Sequence, residues 1–314
     1  IDLVDWQLRI AQGDPIPLQQ SEIRQTGHAI EVRLCAEDPR TGYVPQTGPI
    51  QAWVIPEGEG LRVDHGLLAD GEICPYYDSM LAKIIAYGHD RESARSRLAR
   101  ALSNTRLHGV VSNLDLLKDI LDEPDFAAGD FHTGYMPAHF DEAQLAARVP
   151  GPLQYALAAL AIYRSDGASL AQQAALPAEL SDWHSAPGGT IGMTVAWGEE
   201  RQAVTLVHDS ARHYVITLDG EAHEFVVEGS GDGYTRLQMD GVAARIDYTR
   251  AGDDLWLTAQ DRSFCFRDVT LEPAQAVAPG SDGRLLAPSA GRLLDVRVAA
   301  GAAVRGGQPA AVPH

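Results

Sequence analysis

Apolar and polar positions change their spacing several times along the chain, and each change marks an element. Leu3, Val4, Leu8 and Ala11 recur at near-helical intervals with Gly13 behind them, so residues 1–13 read as the end of a helix. Pro15 and Pro17 then force an extended link. From Gly27 the period becomes two. His28, Ile30, Val32 and Leu34 point one way and Ala29, Glu31, Arg33 and Cys35 the other, a strand ended by the Glu37-Asp38-Pro39 turn. Short strands are predicted at Ile50–Ile55 and Leu61–Val63. The segment from Asp78 to Leu121 reads as mostly helical: Ser79–Tyr87 capped by Asp78, Arg91–Leu102 capped by Asp90, and Leu116–Leu121 behind a Ser112/Asp115 capping box. The first ~140 residues therefore read as a mixed α+β unit, strands leading and helices following. Residues 141–151 form a boundary.

Beyond it the pattern changes. A helix at Leu153–Arg164 carries Leu157, Leu160 and Ala161 on one stripe, and an Ala-rich second helix ends before Pro177. Trp183 and Pro187-Gly188-Gly189 introduce eight short strands. They are Thr190–Trp197, Ala203–His208, His213–Leu218, Glu221–Glu228, Tyr234–Met239, Ala243–Tyr248, Leu255–Ala259 and Ser263–Phe266. Asp219-Gly220 and Asp240-Gly241 are two-residue hairpin signals, and the even spacing favours an antiparallel barrel or sandwich. A barrel closes its edges, and the apolar helix ahead of it could fill its mouth or core. Residues 271–284, rich in Ala, Pro and Gly, read as a linker. The last thirty residues, about half a module, are too few to bury a core alone.

Charge narrows the partners. With 25 Lys+Arg against 43 Asp+Glu the net charge is -18, which repels nucleic acid and anionic membrane surfaces. Cys35, Cys74 and Cys265 are odd in number and far apart, fitting neither a disulfide framework nor a zinc motif, as in a reducing compartment. No apolar stretch is long enough to span a bilayer, and no signal peptide is evident. The first residue, Ile1, is not Met, as in a piece of a longer protein.

Catalytic motifs are scarce: no phosphate loop, no GxGxxG after a strand, no HExxH and no GxSxG. The histidines are scattered singly. Arg33 is the exception, a guanidinium on a strand with the carboxylate of Glu31 two residues away on the same face, able to be held rigid and aimed at an anion. Residue chemistry alone favours the plainer reading of an ordinary ion pair on a half-exposed sheet.

The strings GHAIEVRLCAEDP (Gly27–Pro39), TGPI (Thr47–Ile50) and PYYDSMLAKIIAYGHDRESARSRLARAL (Pro75–Leu102) resemble the C-terminal lobe of biotin carboxylase. GVVSNLDLLKDILDEPDF is similar to the helical end of that lobe, and DLVDWQLRIAQGDP resembles the last helix of the preceding ATP-grasp region. The helix and eight strands resemble in layout the domain of acyl-CoA carboxylase α subunits that docks on the carboxyltransferase β subunit. LLAPSAGRLLDVRVAAGAAVRGGQP is similar to the first half of a biotinyl carrier domain. The order is that of a methylcrotonyl-CoA or geranyl-CoA carboxylase α subunit. The resemblance implies an α+β fold in five parts: the end of an ATP-grasp region (1–25), the carboxylase C-terminal lobe (26–140), a helix plus eight-stranded antiparallel barrel (152–270), a linker (271–284) and a truncated biotinyl domain (285–314).

It also implies roles. Arg33 becomes the catalytic candidate, facing bicarbonate and biotin; Glu31 orients it, and Asp78 sits near the same cleft. Arg62 falls where simple biotin carboxylases form a dimer contact, although Glu59 replaces their usual apolar or aromatic residue. Biotin and MgATP are the implied cofactors of the parent enzyme. The family's nucleotide-binding and metal-binding residues belong upstream of Ile1, and no lysine follows Lys118 to take biotin. The chain alone is thus expected to be inactive and to carry no covalent biotin or metal. Its expected partners are a carboxyltransferase β subunit and the missing parts of the same protein, in the cytoplasm or the mitochondrial matrix. The alternative is a non-catalytic assembly module that binds a carboxyltransferase subunit.

Overall fold

The computed structural model describes residues 1–68, 70–175, 189–209, 212–239, 241–272, 293–299, 301–303 and 311–313. Helix α1 (Leu3–Ala11) is capped by the Asp2 carboxylate, which accepts from the Val4 and Asp5 amides, and none of its residues is buried. Strand β1 (His28–Cys35) alternates as its sequence predicts, with Ile30, Val32 and Leu34 inward. Next come β2 (Ala52–Val54) and β3 (Leu61–His65).

Residues 79–87 are not helical. Met80–Gly88 is strand β4, the centre of a three-stranded antiparallel sheet in the order β1-β4-β3. Ala82, Ile84, Ala86 and Gly88 are buried and the residues between them are not, so the period is two. The run Ile84-Ile85-Ala86 masks this, because the outward Ile85 is as apolar as its inward neighbours. Asp78 caps no helix; its Oδ1 accepts from the Met80 amide at 2.8 Å in the turn entering β4.

Helix α2 (Arg91–Ser103), capped by Asp90, covers the inner face of the sheet with Ala94, Leu98 and Leu102. Strand β5 (Arg106–His108) pairs with β2. Helix α3 (Leu114–Asp122) starts two residues earlier than its pattern predicts and has no side-chain cap. Gly109, with φ +115, lets the chain pass against Pro49; a Cβ there would run into the Pro49 carbonyl oxygen. Three short helices follow, α4 (Pro124–Ala128), α5 (Tyr135–His139) and α6 (Glu142–Ala146).

A single helix, α7 (Pro152–Gln173), replaces the two expected. Every residue from Tyr155 to Ile162 is buried, so this stretch is enclosed all round. Around it closes an eight-stranded antiparallel barrel. Its strands are β6 (Thr190–Trp197), β7 (Glu200–His208), β8 (His213–Leu218), β9 (Glu221–Gly231), β10 (Tyr234–Met239), β11 (Val242–Ala251), β12 (Asp254–Ala259) and β13 (Arg262–Asp268). Inward residues such as Val195, Leu206, Ile216, Phe225, Leu237, Leu257 and Phe266 meet the helix in one core. The β8–β9 turn is Asp219-Gly220, both at positive φ, the conformation that matches hairpin twist. Closure comes from β6 and β13, through Val195 opposite Asp268 and Ala196 opposite Arg267.

The turn from Trp183 to Gly188 and the linker from residue 273 lie outside the described residues. Of the tail, β14 (Leu293–Val296) and β15 (Ala311–Pro313) form an antiparallel pair. No helix among the described residues is long and apolar enough to cross a membrane.

The α+β lobe and the barrel are joined by polar contacts. Arg106 on β5 reaches Asp247 on β11 at 2.8 Å. His108, fully buried, bonds Thr249 through Nδ1 at 2.8 Å and Thr258 through Nε2 at 2.9 Å, and stacks on Trp256. On α3, the Lys118 ammonium donates to the Asp261 carbonyl at 2.8 Å, the Asp115 carboxylate accepts from the Ser263 amide at 3.0 Å, and Asp119 pairs with Arg262 at 2.5 Å. These bonds fix one orientation in a way that apolar contact alone does not.

Candidate functional site

The outer face of the β1-β4-β3 sheet gathers most of the residues singled out in the sequence. Arg33 on β1 lies opposite Lys83 on β4, which lies opposite Asp64 on β3. One step along, Glu31, Ile85 and Arg62 form the neighbouring row. Partners in an antiparallel register point to the same side of the sheet, so these six side chains share one face. Three cations and two carboxylates stand there over a backbone whose other face is core.

Glu31 sits between two cations. Its Oε1 is 3.9 Å from Arg33 Nε and 3.9 Å from Lys83 Nζ. Both pairs are long for ion pairs, and the Arg33 side chain is 68% exposed. Glu31 therefore biases the guanidinium without consuming it. Arg62 is held more tightly, by Asp64 at 3.0 Å. Asp78 lies at the end of this face rather than in it, exposed in the turn before β4. Its neighbourhood is Cys35, whose thiol is pushed up by burial first and then by the Glu37 and Asp78 charges. Ser79 donates to Glu37 at 2.5 Å beside them. The adjoining Tyr76 and Tyr77 rings are 82% and 84% exposed.

Two residues missed in the sequence complete the site. Lys83 was hidden by the helical reading of its segment. Asn113 was passed over as part of a capping signal, yet it clamps the edge of β1: its Oδ1 accepts from the Cys35 amide at 2.9 Å and its Nδ2 donates to the Arg33 carbonyl at 3.1 Å. With β4 on one side and Asn113 on the other, the backbone bearing Arg33 is fixed along both edges. No local pattern announces a contact across eighty residues.

One group among the described residues has metal-ligand spacing: Glu123, Asp125 and His139, with ligand atoms within 4.8 Å of one another. Other duties account for it. Glu123 caps α4 through the Asp125 and Phe126 amides and accepts from the Tyr135 hydroxyl, and His139 stacks on Tyr135.

Residues 31–138, which carry this face, match the biotin carboxylase C-terminal domain. The chain is homologous to the α subunit of methylcrotonoyl-CoA carboxylase and to other biotin carboxylases. It is 29% identical over 321 residues to the mitochondrial methylcrotonoyl-CoA carboxylase subunit alpha of Mus musculus, covering 98% of this chain and 44% of that one. It is 42% identical over 139 residues to the biotin carboxylase of Halalkalibacterium halodurans, covering 44% of this chain and 30% of that one. Among solved structures, the biotin carboxylase domain of a thermophilic 2-oxoglutarate carboxylase, bound to bicarbonate, superposes with a TM-score of 0.45 at 38% identity, over 48% of this chain and 33% of that one. The chain thus spans less than half the length of these relatives.

Proposed function

We propose that this chain supplies the Arg33-bearing wall of a biotin carboxylase active site within the α subunit of an acyl-CoA carboxylase, and that its barrel docks on a carboxyltransferase β subunit. The observation that carries the reading is the mounting of Arg33: backbone fixed along both edges, guanidinium exposed and loosely paired. When bound, biotin supplies the ureido group that takes up the carboxyl, with MgATP activating the bicarbonate. The Arg33 donors fit an oxyanion because Glu31 leaves them open. Arg33 presents N–H donors from a fixed backbone to the oxygen on which negative charge grows. Glu31 orients that guanidinium, Lys83 adds a second positive charge beside it, and Asp78 borders the cleft. Arg62 is assigned to a subunit interface.

The exposed apolar side of α1, with Leu3, Val4 and Leu8 each more than 60% exposed, supports the packing of an ATP-grasp region there. The match to the mouse α subunit along nearly the whole chain supports the methylcrotonyl or geranyl type and the order of carboxylase lobe, docking domain and biotinyl segment. Residence in the cytoplasm or mitochondrial matrix belongs to the same reading. Adding a separately produced ATP-grasp half is expected to restore ADP release that depends on bicarbonate and free biotin. Arg33→Ala is expected to lower it by about 100-fold or more. Undiminished release from that variant would remove Arg33 from the chemistry.

One observation favours a second reading, an assembly module without catalysis. The barrel interior is filled by α7, which leaves only its outer surface for recognition. Under this reading the chain co-elutes with a carboxyltransferase β subunit while the reconstituted mixture releases no ADP.

A further inference from the structure

Where the α+β lobe meets the barrel, the described residues line a half-open cavity of about 690 Å³. Neither half forms it alone. Arg40, in the turn after β1, and Arg148, after α6, enter from the lobe; Trp197, Trp256, Arg262 and Cys265 enter from the barrel. The volume falls in the range of about 300–1,000 Å³ usual for small-molecule sites.

Its charges do not cancel. Arg148 and Arg262 share the single carboxylate of Asp119, at 2.7 and 2.5 Å. Arg40 is neutralised by Asp38 at 2.9 Å, and Lys118 by Asp115 at 3.2 Å. The cavity lining itself carries three arginines, Arg40, Arg148 and Arg262, and two carboxylates, Asp38 and Asp115, in a chain of net charge -18. Burial holds the Arg148 guanidinium below its ordinary value; Asp119 acts against this, but the Arg262 charge adds to it. Asp115 also acts against the lowering, and an anion bound beside Arg148 would do the same. Two indoles stand in the wall among aliphatic side chains, each with one face in use: the Arg40 guanidinium lies over the Trp197 ring at 5.1 Å, and His108 stacks on Trp256, which stands in register opposite Cys265.

We propose that this cavity is a binding site for a small organic anion with a planar apolar body, its carboxylate on Arg148 and its rings along Trp256 and Trp197. Guanidinium takes carboxylate in a bidentate fork, and indole offers a sequence of flat contacts to an aromatic body. Because the walls come from both halves, occupancy also ties the lobe to the barrel. The proposal does not depend on the carboxylase reading.

Calorimetric titration of the full chain with 2-naphthoate tests it. Saturable binding with a Kd below about 1 mM is expected, and 2-naphthol, which lacks the charge, is expected to bind at least about tenfold more weakly. Arg148→Gln is expected to weaken naphthoate by about tenfold or more. Cys265→Phe puts a ring into the space beside Trp256 where the ligand's rings would lie, without removing a charge, and is expected to abolish binding. Circular dichroism melting establishes that each variant is folded, and if Arg148→Gln is not, Cys265→Phe decides. The proposal is overturned by the absence of saturable heat, by equal binding of naphthol and naphthoate, or by naphthoate binding that survives in a folded Cys265→Phe protein.

Discussion

His108 joins the two halves of the molecule in its uncharged form, and acid is expected to weaken that joint. Burial, helped by the Arg106 charge, holds its pKa down to about 3 from 6.5. The hydroxyls of Thr249 and Thr258 could accept from a charged ring as readily as from a neutral one, so the cost of protonation is the loss of water. The unfolded chain takes up this proton near pH 6.5 and the folded one does so only near pH 3. Stability from this group is therefore whole above pH 6.5 and falls as the pH drops toward 3, by about 1.4 kcal/mol per unit. Between pH 7 and pH 5 the loss comes to about 2 kcal/mol. Other groups titrate over the same interval, so the measurement is a difference: urea unfolding followed by circular dichroism at both pH values, for the natural chain and for His108→Gln. Glutamine can still bond both threonines but cannot take a proton. The natural chain is expected to lose about 2 kcal/mol more than the variant over those two units. Parallel losses in the two proteins would refute the reasoning.

Asn113→Ala frees the β1 edge under Arg33; in the reconstituted carboxylase it is expected to lower kcat by up to about 100-fold with little change in KM. Asp119→Asn leaves Arg148 and Arg262 without their shared carboxylate, and denaturant unfolding is expected to show a loss of about 1–3 kcal/mol. Leu160→Ala opens a hole at the centre of the barrel, where the side chain is fully buried, and is expected to cost about 2–5 kcal/mol by the same assay. Gly109→Ala drives a Cβ against the Pro49 carbonyl in a left-handed backbone; a drop in Tm of the α+β lobe is expected, and an unchanged Tm would mean that the loop yields.

The barrel was legible because alternation recurred from strand to strand and turn chemistry agreed with it where it spoke: Asp219-Gly220 sits at the positive φ its sequence predicts, and all eight strands lie where the period-two runs are. The α+β lobe was legible only where alternation was clean. In β1 the polar Glu31 and Arg33 interrupt the apolar residues, whereas in β4 the outward positions include Ile85, and a cap-like Asp78 in front completed a false helix. Lys83 was lost with that strand. The long α7 was read as two helices, yet it runs unbroken through Ser165-Asp166-Gly167 once the barrel holds its first half. Arg33, Glu31 and Arg62 were named from the chain, but their gathering on one face depends on strand register. Asn113, and the joints at His108 and Asp119, pair residues roughly 80 to 150 positions apart, where periodicity carries no information.

The position of α7 in the chain bears on how the barrel is made. The helix leaves the ribosome before any of the eight strands, and the strand that seals the enclosure leaves last. Seven of the strand pairings are between sequence neighbours and can zip in turn; the eighth, β6 to β13, must wait for about seventy residues to be synthesised and ordered. Until then Leu157, Leu160 and Ile162 lie open on a nascent helix with an incomplete sheet beside them. That interval exposes the chain to misassembly and to chaperone capture.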